Sequence, residues 1–169
     1  DCVFSGRKGM YQESDIADPI DLYGKSKLLG EVSGAGCITL RTSIIGPEII
    51  SSYGLFEWFR SERGGSVEGY KKAVFSGFTT HQLSLLISKI LHDEKLEGGL
   101  WHAASYPIDK YTLLSLINEK FRLGIDIEPR DDFECDRSLD GSALCEALDY
   151  RPPTWEQMID QLKEMLGGK

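Results

Sequence analysis

The chain has 169 residues, of which 41% are hydrophobic, 10% aromatic and 27% charged, enough for one domain with a real core and too ordinary for a disordered or fibrous protein. Its formal net charge of −8 argues against a nucleic-acid or anionic-membrane partner, since both would repel it, and leaves a small anionic ligand open. No stretch approaches the roughly 18 apolar residues of a membrane span.

The chain opens on "DCVFSG", an apolar run that reads as the end of a buried strand. With no initiating Met and no signal peptide, this start is expected to belong to a longer protein. The polar segment "SGRKGMYQESDIADPID" is predicted to be a loop. Asp21 or a near neighbour then caps a helix with Leu22, Leu28, Leu29 and Val32 among its apolar positions, ending at Gly34 and Gly36. "CITLRTSII" is nearly continuous and β-branched, which predicts one strand buried on both faces, stopped by Gly46 and Pro47.

Further along, "YGLFEWFRSE" suits a helix and "AVFSGF" a short strand. "TTHQLSLLISKILHDE" follows helical periodicity through Leu83, Leu86, Ile87, Ile90 and Leu91, with Thr79 and Gln82 as a capping box. "GGLWHAA" is predicted as a strand, "DKYTLLSLINEKF" as a helix capped by Asp109, and Thr154 with Gln157 repeats the capping box before a last helix. Alternating strands and helices give an α/β class with a mostly parallel sheet.

Four cysteines (Cys2, Cys37, Cys135 and Cys145) show no CxxC pair, which suits free thiols in a reducing, cytoplasmic setting. His81, His92 and His102 have no ligand-like spacing, so no metal site is expected. Trp58, Trp101 and Trp155 are read as packing residues. Arg41 at a strand end is read first as a structural donor, with anion binding second. Lys71, Lys72, Arg130 and Arg137 are candidate contacts for a diphosphate, although a solvated surface role suits each of them better.

"DLYGKSKLLGE" puts Tyr23 and Lys27 on one helix face, one turn apart. A free phenol is a sluggish acid or base at neutral pH, and a neighbouring ammonium favours its phenolate form. The pair suits proton exchange with an oxygen while another group moves a hydride. The spacing alone is weak, because Tyr106 and Lys110 share it; there Pro107 prevents a regular helix, and that pair is read as structural.

The order of "DCVFSG", "YQESD", "LYGKSKLLGE" and "ITLRTSIIGPE", followed by "FSGFTTHQLSLLISKIL", "DRSLDGSAL" and "YRPPTWEQMIDQL", resembles an extended short-chain dehydrogenase/reductase of the dTDP-4-dehydrorhamnose reductase-like branch, within the NAD-dependent epimerase/dehydratase superfamily. The resemblance covers essentially the whole chain. It implies the C-terminal part of a Rossmann-like, doubly wound parallel sheet with a small substrate-binding lobe. Residues 1–47 would be the catalytic half of the core, and 48–169 the remaining core interleaved with the lobe, without a clean boundary.

The same resemblance implies an NAD(P)-dependent reductase of a nucleotide-linked 4-keto sugar, in polysaccharide biosynthesis, with a homodimer as an assembly it allows. Tyr23 would be the catalytic acid/base, and Lys27 would hold the nicotinamide ribose hydroxyls and favour the phenolate. Ser43, Ile44, Ile45, Gly46 and Pro47 would pass along the nicotinamide, and Asp1 and Cys2 would line the substrate pocket. Cys2 stands where these reductases commonly carry a tyrosine. The Ser or Thr that completes the family's triad would fall just before Asp1. No Gly-rich phosphate loop occurs: "SGAGC" and "RGGSVEG" lack its spacing and context. The 169 residues alone are therefore expected to bind NAD(P) poorly and to be inactive. Two alternatives are an epimerase or dehydratase of the same superfamily, and a non-catalytic binding or regulatory subunit of the same fold.

Overall fold

A computed structural model describes residues 1–32, 34–93 and 96–167. In chain order the elements are α1 (Leu22–Leu29), β1 (Ile38–Arg41), β2 (Ile44–Ile45), α2 (Leu55–Ser61), β3 (Ser66–Phe75), β4 (Phe78–Thr79), α3 (Thr80–His92), β5 (Gly99–His102), β6 (Ile108–Asp109), α4 (Lys110–Phe121), β7 (Asp126–Asp136), α5 (Ser142–Ala147) and α6 (Trp155–Met165). β1 pairs with β5, β2 with β4 and β3 with β7, all parallel, while β6 adds antiparallel to β3. The class is α/β and mostly parallel, as the alternation of elements requires.

Residues 1–20 are irregular but firmly held. The expected strand end at Asp1–Phe4 is instead a turn, closed by the Phe4 N–H on the Asp1 carbonyl at 3.0 Å. Phe4 and Tyr11 stack with ring centroids 4.1 Å apart. The Tyr11 hydroxyl then accepts the amides of Gly6, Arg7 and Lys8 at 3.2, 3.0 and 3.1 Å. One phenol oxygen thus satisfies three loop donors that would otherwise lack partners. Val3, Phe4 and Tyr11 bury against Ala104 and Leu139, which ties this loop to the rest of the chain.

Asp21 caps α1 as expected, accepting the Gly24 amide at 2.6 Å. The helix ends earlier than the sequence suggests. Gly30 turns its N–H back to the carbonyls of Ser26 and Lys27, and Val32 is drawn onto β1 by Thr39, whose hydroxyl binds both the N–H and the C=O of Val32. Ser33, inside the stretch expected to be helical, lies outside the described residues, as does Glu94 at the end of the α3 stretch.

"CITLRTSII" is two strands rather than one, and Ile38 to Leu40 are only half-buried. The ladder changes partner between them: the Ser43 carbonyl accepts the Phe78 amide at 2.9 Å. Gly77 allows that approach, since a β-carbon there would overlap the Ser43 carbonyl.

The caps of the later helices fall where expected. Thr79 accepts the Gln82 amide, although the Gln82 side chain binds the Tyr150 hydroxyl and leaves the box half formed. Asp109 caps α4, and Thr154 with Gln157 makes both arms of a capping box on α6. α3 buries Leu86 and Ile90 but exposes Ile87 and Leu91, a narrower apolar face than its periodicity suggests. Phe56, Phe78, Leu113, Ile117, Met158 and Ile159 are among the residues of the main core.

Three elements went unforeseen. β6 is a two-residue strand that pairs antiparallel with the end of β3. β7, "DIEPRDDFECD", is largely exposed at the sheet edge and is held by pairing with β3, so it carries no apolar alternation. α5 is short, has no side-chain cap, and buries Leu144 alone.

Tyr11→Phe keeps the ring stack and strips the oxygen from three amides. It is expected to lower unfolding stability by about 2 kcal/mol in a urea titration; an unchanged midpoint would contradict the role given to that hydroxyl.

Candidate functional site

An open cavity of about 290 Å³ lies between α1, β1 and the 1–4 turn. Asp1, Cys2, Tyr23 and Lys27 all line it, with Glu31, Arg41 and Thr42 at its back. Tyr23 is 63% exposed, and the Lys27 ammonium sits 5.2 Å from the centroid of its ring. The two side chains therefore share one wall of one opening, one helical turn apart, and stabilise each other weakly through a cation–π contact.

What seats α1 here is Gly24, between the two. It is buried, and a β-carbon on it would overlap the Cys2 carbonyl oxygen and stand 2.9 Å from Pro19 Cβ. Gly inside a helix costs about 1 kcal/mol relative to Ala, so the position needs a compensating contact. The close approach of Cys2 is that contact. Sequence reading passed over Gly24, though a glycine between Tyr23 and Lys27 was itself the signal.

The back wall is a closed network. Arg41 is buried and gives Nε and Nη2 to the two Glu31 carboxylate oxygens at 2.6 and 2.9 Å. Its guanidinium lies 5.1 Å from the Phe4 ring centroid. This two-pronged pair leaves Arg41 structural, tying the end of α1 to β1. His102 is fully buried behind it, with Nδ1 2.9 Å from the Tyr11 carbonyl and Nε2 3.5 Å from Arg41 Nη1. That arrangement puts the proton on Nδ1 and the lone pair toward the guanidinium, so the ring is neutral. Burial holds the His102 pKa below the ordinary histidine value.

Ser43, Ile44, Ile45, Gly46 and Pro47 do not line this cavity. Ile44 to Pro47 border a separate space of about 150 Å³ with Leu55 and Thr80, and Ser43 is engaged through its carbonyl with Phe78. The segment nonetheless departs directly from Thr42, which lines the first cavity. Of the four candidate diphosphate contacts two have partners, while Lys72 is exposed and, among the described residues, the buried Nε of Arg137 meets no hydrogen-bond partner. Arg130 pairs with Glu68 at 3.1 Å and Asp132 at 2.8 Å, and Lys71 lies over the Tyr111 ring. Trp155 and Trp101 donate their indole N–H groups to the Tyr106 and Gly98 carbonyls, as packing residues do. The four cysteines are free thiols.

Two outcomes follow. Gly24→Ala adds a methyl where the Cys2 carbonyl stands, and is expected to destabilise the fold by about 2 kcal/mol in urea unfolding despite its better helix propensity; a neutral or stabilising result would remove the seat described for α1. A histidine with a lowered folded pKa contributes stability above its unfolded value and loses it as pH falls. Thermal stability should therefore decline once pH drops below about 6.5, and part of that slope should vanish in His102→Asn. Asp15, Asp18 and Asp140, whose pKa values are lowered mainly by side-chain hydrogen bonds, add their losses only at more acid pH.

No family model matches the chain. It is 28% identical over 135 residues to methionine adenosyltransferase 2 subunit beta of Danio rerio, and 28% identical over 144 residues to the Bos taurus protein of the same name. Each match takes in 73% of this chain, and the chain spans only 42% and 40% of those relatives. A hypothetical dTDP-4-dehydrorhamnose reductase from Sulfolobus tokodaii superposes with a TM-score of 0.75 at 30% identity, over 92% of this chain and 59% of that one. The Bacillus anthracis dTDP-4-dehydrorhamnose reductase in complex with NADP gives 0.76 at 18% identity, over 99% and 63%. UDP-N-acetylglucosamine 4-epimerase from Bacillus cereus gives 0.74 at 17%, over 99% and 64%. Nearly all of this chain thus has the fold of the dTDP-4-dehydrorhamnose reductases and related NAD-dependent epimerase/dehydratase-fold proteins, which it matches over part of their length.

Proposed function

We propose that this chain is the Tyr-Lys-bearing part of an NAD(P)-dependent oxidoreductase that reduces a nucleotide-linked 4-keto sugar. The observation that supports this reading is the shared cavity wall: the Tyr23 ring and the Lys27 ammonium lie side by side on an opening also bordered by Asp1 and Cys2. Among the described residues, no carboxylate forms an ion pair with Lys27, so its three donors remain available for ribose hydroxyls. The donor set therefore fits a nicotinamide ribose.

A bound nicotinamide dinucleotide supplies the hydride. Tyr23 gives its proton to the keto oxygen of the sugar as that oxygen gains charge, and Lys27 orients the ribose and offsets the phenolate left behind. Asp1 and Cys2 contact the sugar. Because the 169 residues hold no Gly-rich phosphate turn, this chain by itself binds NAD(P) weakly and does not turn over.

A second reading, a binding or regulatory subunit of the same fold, draws support from the curated relatives, both named as a subunit beta. One assay separates the two: nicotinamide oxidation with keto-sugar nucleotides, using the whole protein that carries this chain and its Tyr23→Phe variant. The reductase reading expects turnover that falls by about 100-fold or more in the variant. Turnover untouched by the change would refute Tyr23 as proton donor. No turnover in either, with the variant's cellular role intact, would favour the subunit. An epimerase would convert the sugar without net oxidation of the nucleotide.

A further inference from the structure

Two carboxylates line the cavity that holds Tyr23 and Lys27: Asp1 on the 1–4 turn, and Glu31. Glu31 follows Lys27 by four residues, and no other Asp or Glu lies that close to Lys27 in the chain. It stands just past the end of α1, where its amide still bonds the Leu28 carbonyl at 3.2 Å, so the helical path carries it one turn on from Lys27. That spacing brings a lysine and a glutamate together on an exposed helix face. Here they do not meet. Among the described residues no ion pair joins Lys27 to a carboxylate, and its exposed ammonium leans the other way, 5.2 Å from the Tyr23 ring centroid.

Arg41 is what holds Glu31 away. Its side chain is 7% exposed, and its Nε and Nη2 reach the two Glu31 oxygens at 2.6 and 2.9 Å, so the fork turns the carboxylate toward β1. Arg41 is itself fixed, with Phe4 5.1 Å below the guanidinium and His102 Nε2 3.5 Å from Nη1. A planar, weakly hydrated guanidinium that meets both oxygens outcompetes an exposed ammonium for the same carboxylate.

We propose that Arg41 is a positioning residue for Lys27. By occupying both oxygens of Glu31, it withholds the one carboxylate that the helix would offer to the ammonium. The three Lys27 N–H donors are left for the ribose hydroxyls of a nicotinamide dinucleotide. The identity of that ligand rests on the reductase reading; the withholding of Glu31 does not.

The test compares Arg41→Gln with the double variant Arg41→Gln, Glu31→Gln, in two measurements. On the folded 169-residue chain, the nuclear Overhauser contact between the Lys27 ε-methylene and the Tyr23 ring is expected to weaken in Arg41→Gln, with a new contact to the Glu31 γ-methylene. It is expected to return in the double variant, which has no carboxylate to capture the amine. In the whole protein that carries this chain, the dissociation constant for NADH or NADPH, read by nicotinamide fluorescence, should rise about threefold in Arg41→Gln and fall back in the double variant. A tie between α1 and β1 with no other role is cut in both variants alike, so equal losses in the two would overturn the proposal. So would a Lys27 contact that Arg41→Gln leaves unchanged. Contacts that shift as expected in a protein that binds neither nucleotide would uphold the role of Arg41 and refute the reductase reading instead. Should Arg41→Gln not fold, Arg41→Lys, which keeps the charge and loses the fork, carries the same comparison with a smaller shift.

Discussion

The contact between the bare Cα of Gly24 and the Cys2 carbonyl sets how far α1 stands from the 1–4 turn, and the rest of the site depends on that distance. A side chain of any size at this position would lift the helix. Tyr23 and Lys27, which flank the contact, would then leave the rim shared with Asp1 and Cys2. Asp21 works in the same direction by fixing the first turn, and Gly30 by ending the helix before it can run past β1. The pair is thus placed by three local devices, none of which touches the chemistry.

Behind the cavity, a second set of interactions keeps the wall from shifting. Glu31 at the end of α1 grips Arg41 at the end of β1, and Arg41 rests on Phe4 while His102 lies against its outer nitrogen. Phe4 stacks on Tyr11, whose hydroxyl closes the loop from Gly6 to Lys8. The loop, the helix and the parallel pair β1–β5 therefore meet in one buried polar cluster. Such a cluster is stable only while each member keeps its partner and charge state, which makes the neutral form of His102 part of the architecture.

What the sequence made legible were features written locally. Caps at Asp21, Thr79, Asp109 and Thr154 join a side chain to an amide a few residues away, and all four stand in the structure. The Tyr23–Lys27 spacing is equally local. What it hid were features decided by distant partners. The helix stops short because Thr39 claims Val32. The strand after Cys37 breaks because Phe78 takes the Ser43 carbonyl, and β7 exists because β3 pairs with it through backbone groups that no side-chain pattern announces. Arg41 could not be judged without Glu31. Gly24 was visible as an oddity, a glycine inside a helix, but its reason lay in the Cys2 backbone.

The most direct check on the placement of the pair is a nuclear Overhauser measurement on the folded chain, between the ring protons of Tyr23 and the ε-methylene of Lys27, and between the α-protons of Gly24 and the side chain of Pro19. Cross-peaks are expected for both, since ring and amine share a wall and the glycine lies in close contact. Absence of both in a folded sample would mean that α1 is seated elsewhere, and that no phenol–ammonium pair stands at this opening.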